Sequence, residues 1–549
     1  MQDDQIVTRS TVVPGVISVA QPRSFAEQLA AAAERISPLR LGMVQGLMAF
    51  VLTTLMLSVP ARQPGFQGII NNVNGARSWR RLTMWNDDLG WVGQHLTRFG
   101  FSPDVFIWLV RFMHIGLAAV QALAIISLVI HLKRGSLGPV WRWFFGPAVT
   151  AAFFLIYPPL CADVFYYITS GSIANAGGNP YEWPPGHYYD APLLYLNDWA
   201  HIASPYGPLW TLICQGVVAI FGSDFLMAVF GFKLLGYLSI IGFVWFVYKL
   251  ADQLLGDRNL AIAVAVASSW MPTLLFEPTT GAHNDALMFN LALGGLLVMT
   301  MRKRGTTRIG LLLIALSALL KYVTLPLLIY ALLWRVADQR REDPHRHRKL
   351  FTAWAIDGIA IAALIAVTYA PFWVGPKTFS SLLAQPTRGV SSPLWIIPHN
   401  LTKIWIGDQA AKSFDNVLGF VTLGFLLPLF ALTGLWLWRQ MWKLHGSDGL
   451  ADSGPTRDRR LLLMLQAWMI PAGLLPFVPV DTHNWYAIWA IAPFFILLAW
   501  LWKRQEADRA GQTVERLPRL IAWLSPAALC AIFLGWSLFN LLIYHTRTF

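Results

Sequence analysis

Apolar blocks of about 20 residues recur along this chain, and they constrain its fold more than any other feature. One such block can form the core helix of a soluble protein, but about a dozen cannot, because each is long enough to cross a bilayer. Only 13% of the 549 residues are charged and 56% are hydrophobic, whereas soluble domains carry about 25% charged residues. The sequence therefore predicts an all-α polytopic membrane protein with about 11–14 transmembrane helices.

Basic clusters alternate with the apolar blocks and predict which loops lie inside. Under the positive-inside rule the basic clusters are cytoplasmic, so the net charge of +13 reflects topology and no nucleic-acid partner is expected. We interpret residues 1–38 as a cytosolic N-terminal arm and residues 39–545 as one transmembrane domain in the plasma membrane. The basic clusters are 131–142, 302–308, 335–349, 442–460 and 503–519, and the long outer loops are 61–104, 163–208 and 376–416.

Two apolar segments break the simple alternation of inside and outside. A single crossing by Ile309–Ala337 would separate two basic clusters that should share one side, so we expect two short helices that meet at Lys321. Further upstream, either Leu209–Gly222 or Ala261–Pro272 must be re-entrant or interfacial. The first is favoured because it is short and follows the run SPYGP. Broken helices are tolerated in a bilayer where they face protein or a water-filled cavity, so we predict a cavity on the outer side.

Asp163 leaves the membrane directly after the apolar run FFLIYPPLCA and begins the outer loop 163–208. A carboxylate at a membrane boundary is costly unless it is used or paired, so a catalytic role and a helix-end or salt-bridge role both stay open. The aromatic residues that follow it are typical of interface anchors, and they are equally suited to stacking on sugar rings.

The order of residues in this loop resembles the first catalytic loop of GT-C glycosyltransferases. It is most similar to the polyprenol-phosphate-mannose-dependent mannosyltransferases, including the α-1,6-mannosyltransferases of actinobacterial lipomannan synthesis. The resemblance implies a GT-C-like fold, a catalytic base at Asp163, and substrate binding by residues of the same loop. The residues that carry it are Asp163, Tyr167, Gly171, Asn179-Pro180-Tyr181 and Tyr206-Gly207-Pro208-Leu209.

Three further polar groups fit the resemblance, and each has a plainer structural explanation. His283-Asn284-Asp285 can bind sugar hydroxyls, or the last two can cap the following helix. Lys321 can bind the donor phosphate, assisted by Arg388, or it can extend its ammonium group to the interface. His483 and Tyr486 can shape the donor pocket, although an aromatic belt also explains Tyr486. The predicted substrate-binding set is Tyr167, Asn179, Tyr181, Tyr206, His283, Asn284, Asp285, Lys321, Arg388, His483 and Tyr486.

A rival acid lies in the first outer loop, in the run WNDDLGWVGQHL. Many GT-C enzymes place the catalytic carboxylate after their first helix, so Asp87 or Asp88 could be the base. Asp163 is favoured because the Asn-Pro-Tyr and Tyr-Gly-Pro-Leu elements follow it.

The resemblance implies an inverting glycosyltransferase that moves a sugar, by resemblance mannose, from a polyprenyl-phosphate donor to a glycan or glycolipid acceptor on the outer face. No Walker loop, dinucleotide fingerprint or zinc-protease motif is present, and such motifs would have indicated nucleotide or zinc chemistry. The cysteines show no metal-binding spacing; a divalent cation is compatible with the site, but no cofactor is required. Two alternatives are a secondary transporter or flippase of a glycolipid or envelope precursor, and a scaffold subunit with a degenerate site.

Overall fold

The computed structural model describes residues 37–57, 103–159, 161–301, 305–342, 347–383, 395–447, 454–475 and 483–511. Within these ranges every element is helical, apart from one isolated backbone bridge between Val374 and Pro376. The α-helices are α1 Pro38–Leu57, α2 Pro103–Lys133, α3 Trp141–Ile156, α4 Asp163–Asn175, α5 Pro208–Phe221, α6 Phe225–Leu255, α7 Arg258–Ser269, α8 Pro272–Thr280, α9 Asp285–Thr300, α10 Thr306–Leu320, α11 Leu325–Glu342, α12 His347–Tyr369, α13 Ser380–Leu383, α14 Ile396–Ile406, α15 Asp408–Ser447, α16 Gly454–Leu474 and α17 Ile488–Arg509. Short 3₁₀ turns occupy Pro185–His187, Leu194–Leu196, Tyr322–Thr324, Lys377–Phe379 and Asn484–Ala487.

Length and hydropathy identify the helices that can cross a membrane. Within the described ranges, six are long and apolar enough, and the bent pair α7–α8 makes a seventh if it is counted as one span. Five shorter apolar helices of 10–17 residues lie among them. The predicted all-α, polytopic membrane class is therefore confirmed, and the total number of spans depends on how the short helices are counted.

The broken helix at Lys321 is present as predicted. Helix α10 ends at Leu320, and Lys321 has extended backbone angles (φ −150°, ψ 122°) before the turn that leads into α11. The two other segments, of which we favoured 209–222 as re-entrant or interfacial, differ in shape. Helix α5 is a continuous 14-residue helix, whereas α7 and α8 meet at an angle of 51° at Met271, where Pro272 cannot donate a backbone hydrogen bond to α7.

Two predicted loops are shorter than expected. The loop 163–208 begins with helix α4, whose first eleven residues are buried except for Ser172. The predicted loop 376–416 contains helix α14 and the start of α15. Polar residues interrupt the apolar pattern in both segments, so membrane hydropathy does not register them as helices. Helix α4 is stabilised by packing, whereas the described side chains of α14 are half-buried or exposed.

A buried lysine anchors the end of α3, the helix that leads to Asp163. The Lys233 side chain is fully buried on α6, and its ammonium group donates to the carbonyl oxygens of Phe154 and Leu155, each at 3.3 Å, and of Tyr157. The last carbonyls of a helix have no partner inside it, and a cation is favourable at that negative end of the helix dipole. Lys233 thus satisfies the end of α3 six residues before Asp163.

Basic residues collect at the opposite end of the bundle. Lys133, at the end of α2, lies over the Trp502 ring at 5.4 Å, and the Lys503 ammonium donates to the Leu255 carbonyl at the end of α6. Arg258, at the start of α7, follows closely in the chain. Asp163 and this basic end are therefore separated by the length of α3 and α6.

Candidate active site

Asp163 is the first residue of α4, and the fold holds its carboxylate between aromatic donors. The chain leaves α3 through Pro158-Pro159, which cannot continue the helix, and then enters α4. The Trp199 indole N–H donates to Oδ1 at 2.9 Å, and the Tyr206 hydroxyl donates to Oδ2 at 3.3 Å. A carboxylate in the first turn of a helix is also favoured by the helix dipole. Asp163 is therefore a preorganised acceptor.

His283 connects Asp163 to a second buried carboxylate that the sequence analysis missed. Its Nδ1 lies 3.5 Å from the Asp163 carboxylate, and its Nε2 lies 3.4 Å from the carboxylate of Glu277 on α8. The imidazole stacks on the Trp485 ring with centroids 3.6 Å apart. The residue before it, Ala282, has φ of +57°, a conformation that non-glycine residues seldom adopt and that functional sites often maintain.

These neighbours set the pKa of Asp163. Burial raises it, but the hydrogen bond and charge of His283, the charge of His483 and the hydrogen bond from Trp199 outweigh burial. The pKa of Asp163 is therefore held below the ordinary value of a carboxyl group. A group with a lowered pKa keeps its negative charge further into the acidic range, so Asp163 is ionised at neutral pH.

We expect His283→Gln to shift the acidic limb of the pH–kcat/KM profile to higher pH. The substitution removes the His283 interactions that lower the Asp163 pKa and leaves burial, which raises it. At a given acidic pH a larger fraction of the Asp163 carboxylate is then protonated and unable to accept a proton. Glu277→Gln should shift the limb in the same direction by a smaller amount, because it acts through His283. Glu182→Gln, on the loop that follows α4, serves as the control. A profile that His283→Gln leaves unmoved would contradict this coupling.

The Tyr206-Gly207-Pro208 run positions Tyr206 against the broken helix. Gly207 donates its backbone N–H to the Leu320 carbonyl at 3.1 Å. A Cβ at Gly207 would lie 1.9 Å from the Leu319 carbonyl oxygen, so only glycine permits this approach. Tyr206 is thereby fixed between Asp163 and the end of α10. The Tyr167 hydroxyl contacts the Tyr206 hydroxyl at 3.3 Å.

Asn179 and Tyr181 support this arrangement from behind. The Tyr181 hydroxyl donates to the Tyr206 carbonyl at 2.9 Å, and the Asn179 amide group donates to the Phe372 carbonyl at 3.1 Å. Asn179 also accepts from the Tyr181 backbone N–H at 3.0 Å. The structure thus places the Asn-Pro-Tyr element in the scaffold of the site, outside the residues that line its cavity.

Lys321 is paired with Asp285 at the other side of the site. Its ammonium group lies 2.9 and 3.1 Å from the two carboxylate oxygens of Asp285, which also accepts from the Trp489 indole N–H at 2.6 Å. The same ammonium lies 5.4 Å from the Tyr486 ring centroid and 5.5 Å from that of Trp489, within the range of cation–π attraction. The anionic partner that this half-buried lysine requires is therefore supplied by the protein.

Asn284 does not act as the side-chain cap that we considered. It occupies the N-cap position of α9 but makes no capping hydrogen bond. Its side chain is buried, and within the described part of the chain neither its Oδ1 nor its Nδ2 has a hydrogen-bond partner. Because its φ and ψ are −79° and 0°, the side chain is not oriented as in the extended conformation typical of caps.

A cavity of about 210 Å³ joins these groups. Of the predicted site residues, Asp163, Tyr206, Lys321, His483 and Tyr486 line it directly, whereas Tyr167, His283 and Asp285 contact those residues from behind. Arg388 and the rival acids Asp87 and Asp88 lie outside the described residues. The lining also includes residues outside the predicted site set: Tyr166, Trp199, Ile202, Pro205, Tyr322, Val323, Trp485 and Trp489.

One group of side chains near the cavity could hold a metal ion, although cysteine spacing predicted none. Ligand atoms of Cys161, Asp163 and His283 all lie within 4.8 Å of one another. Thiolate, imidazole and carboxylate together suit Zn²⁺ better than Mg²⁺, which prefers oxygen ligands. In this structure Asp163 contacts the His283 imidazole and accepts hydrogen bonds from Trp199 and Tyr206.

Comparison with known proteins assigns a family likeness to the part of the chain that contains most of this site. Residues 88–337 match the family model described as "Alpha-(1->6)-mannopyranosyltransferase, N-terminal domain". This range includes Asp163, Glu277, His283 and Lys321, and it ends before His483 and Tyr486.

Three curated relatives carry the same description. Alpha-(1->6)-mannopyranosyltransferase A of Corynebacterium glutamicum is 23% identical over 323 residues, which cover 55% of this chain and 64% of the relative. A probable alpha-(1->6)-mannopyranosyltransferase of Mycolicibacterium smegmatis is 33% identical over 150 residues, 26% of each chain. An alpha-(1->6)-mannopyranosyltransferase of Mycobacterium tuberculosis is 30% identical over 148 residues, 26% of this chain and 24% of the relative.

The matches therefore span less than two thirds of the length of each of these relatives. No solved structure matches the chain. The family model and the three relatives nevertheless agree with one another, and the range that the family model matches contains the motifs around Asp163. The resemblance predicted from the sequence is thus confirmed, and over residues 88–337 this multi-pass membrane protein is similar to the α-(1→6)-mannopyranosyltransferases of actinobacteria.

Proposed function

We propose that this protein is an inverting mannosyltransferase that moves mannose from a polyprenyl-phosphate donor to a glycan or glycolipid acceptor on the outer face of the membrane. The observation that carries the proposal is the cavity in which an ionised carboxylate, a lysine and several aromatic rings come together from distant parts of the chain. The relatives' names support the sugar, since each is described as an α-(1→6)-mannopyranosyltransferase.

Asp163 has the geometry of a general base. In the proposed step its carboxylate accepts the proton of the acceptor hydroxyl while that oxygen attacks the anomeric carbon of the donor sugar. The bond between the anomeric carbon and the phosphate oxygen breaks, and its electron pair stays on the phosphate. Attack occurs opposite the leaving phosphate, so the anomeric configuration inverts. Trp199 and Tyr206 hold the carboxylate in place.

Lys321 has the position of a phosphate ligand. Two of its donor directions are used by Asp285, and an ammonium group has three donors, so one stays available toward the cavity that Lys321 lines. A cation there stabilises the negative charge that accumulates on the departing phosphate. Phosphate is a stable anion, so no strong general acid is needed.

Aromatic side chains provide the surfaces for the sugar and the lipid. Trp199, Trp485 and Tyr486 line the cavity. Ligand-binding sites are typically lined by apolar and aromatic side chains, with a few polar groups that fix the orientation of the ligand. The extracytoplasmic position rests on the concentration of basic residues at the end of the bundle opposite Asp163, because the positive-inside rule assigns that end to the cytoplasm.

The decisive experiment is sugar transfer by the purified full-length chain in detergent. We would compare polyprenyl-phosphate-mannose with a nucleotide-mannose as the donor, and determine the anomeric configuration of the product by NMR. We expect transfer only from the lipid donor and a product with the configuration inverted. Transfer from the nucleotide donor, or retention of configuration, would reject the proposed mechanism. Movement of the lipid across proteoliposomes without transfer would instead support the flippase alternative.

A further inference from the structure

A second cavity lies at the end of the bundle opposite Asp163. It has a volume of about 560 Å³ and is formed between helices α3, α6 and α7. Its walls are almost entirely apolar and aromatic, and Arg258 at the start of α7 is the one charged side chain among them. The active-site cavity shares none of these residues, so the two cavities are separate features of the molecule.

The length of this groove corresponds to one leaflet of a bilayer. Along one wall it extends from Val140 to Ala151, and along the facing wall from Arg258 to Ser269. The two ends of each wall are 11 residues apart, which corresponds to a helix length of about 16 Å at 1.5 Å per residue. The hydrocarbon core of a bilayer is about 30 Å thick. The groove therefore spans the hydrocarbon of a single leaflet, from the basic end to the middle of the domain.

Arg258 marks the end of the groove at headgroup level. Its side chain is exposed, and within the described part of the chain it forms no ion pair. The neighbouring Asp257 carboxylate accepts the backbone N–H groups of Asn259 and Leu260 at 3.0 and 3.1 Å, so it is engaged as the cap of α7. A basic side chain at the mouth of a groove between membrane helices is the arrangement that attracts an anionic lipid headgroup.

The rim of the groove opens to the surrounding membrane. Ile241 and Trp245, both on α6, are 54% and 49% exposed. Tyr248, one turn further along α6, lines the groove near Arg258, and aromatic residues are preferred at the level of lipid headgroups. A lipid can therefore enter sideways from its own leaflet without crossing the domain.

We propose that this groove binds one anionic glycerophospholipid, with an acyl chain along α3 and α7 and the phosphate at Arg258. The groove is as long as the hydrocarbon of one leaflet, so it matches one lipid acyl chain of that leaflet. Its apolar walls exclude polar ligands, and the positive charge of Arg258 favours a negative headgroup. The site is independent of the mannosyltransferase proposal, since it shares no residue with the Asp163 cavity.

Native mass spectrometry of the full-length protein tests this proposal. The protein would be mixed with phosphatidylglycerol or phosphatidylcholine of identical acyl chains. We expect one phosphatidylglycerol to be retained, with about fivefold preference over phosphatidylcholine, the effect of one basic residue near an anionic lipid. Arg258→Gln should abolish the preference, whereas Arg142→Gln, which removes an exposed cation outside the groove lining, should preserve it.

Filling the groove provides the second arm of the test. Ala148 lines the groove and is exposed on α3, so Ala148→Trp should remove retention of both lipids. Ala152→Trp places the same ring on an exposed position of α3 outside the lining and should leave retention intact. The proposal is overturned if no lipid is retained, if both lipids are retained equally, or if Ala148→Trp has no effect. Cross-linking of a cysteine at position 148 to residues 512–549 would show that the chain itself fills the groove, and would also overturn it.

Discussion

Asp163→Asn is expected to lower kcat for mannosyl transfer by about 100-fold to 10,000-fold, the usual contribution of a general base. Asparagine has nearly the same shape, and its oxygen can still accept the 2.9 Å hydrogen bond from Trp199. It cannot take up the acceptor proton at neutral pH. Donor binding should change little, because the phosphate is assigned to Lys321, on the other side of the cavity.

Single-turnover transfer from the lipid donor measures this effect separately from binding. Asp190→Asn is the matched control, since Asp190 is an exposed acid of the same segment between α4 and α5. Asp87→Asn and Asp88→Asn belong in the same experiment, because only the order of motifs favours Asp163 over those acids. If Asp163→Asn retains turnover and one of the other two loses it, the base has been assigned to the wrong loop.

The helical class could be predicted from the sequence because a bilayer imposes it locally. Each apolar block must satisfy its own backbone hydrogen bonds, so a block such as Trp141–Ile156 forms a helix whatever surrounds it. The break at Lys321 could be predicted for a different reason, because one crossing there would place the basic clusters 302–308 and 335–349 on opposite sides of the membrane. Helix α4 was missed because tertiary packing stabilises it, and hydropathy does not measure packing. Helix α14 was missed because Pro398, His399 and Asn400 interrupt its apolar pattern.

The site could be predicted only where residues lie close together in a motif. Asp163, Tyr206 and Lys321 were found by their neighbours in sequence, and the structure places all three at one cavity. Glu277 and Trp199 had no such signal. Glu277 contacts His283, which is 6 residues away in the chain, and Trp199 contacts Asp163, which is 36 residues away. Only the folded structure shows these contacts. Asn179 was predicted to bind substrate because it belongs to the motif; its amide donates to the Phe372 carbonyl, and substrate binding by Asn179 stays a prediction.

Lys321→Met is expected to lower both the stability of the protein and its kcat/KM for transfer. Asp285 is fully buried, so removal of its partner leaves an uncompensated charge, which costs about 3–5 kcal/mol. Loss of the cation also removes stabilisation of the departing phosphate, an effect of about 100-fold or more. The thermal unfolding midpoint in detergent and the rate of transfer would be measured together. Lys412→Met, which removes an exposed cation near the start of α15, should change neither.

The double variant Lys321→Met/Asp285→Asn separates the two roles of this lysine. Replacing the buried carboxylate with a neutral amide removes the unpaired charge, and the Asp285→Asn side chain can still accept the Trp489 N–H that now donates at 2.6 Å. Stability should therefore return to near the original value, since replacement of both members of a buried pair is often neutral. Transfer should stay low, because no cation faces the donor phosphate. A double variant that regains both stability and transfer would show that Lys321 only neutralises Asp285, and the phosphate would then require a different ligand.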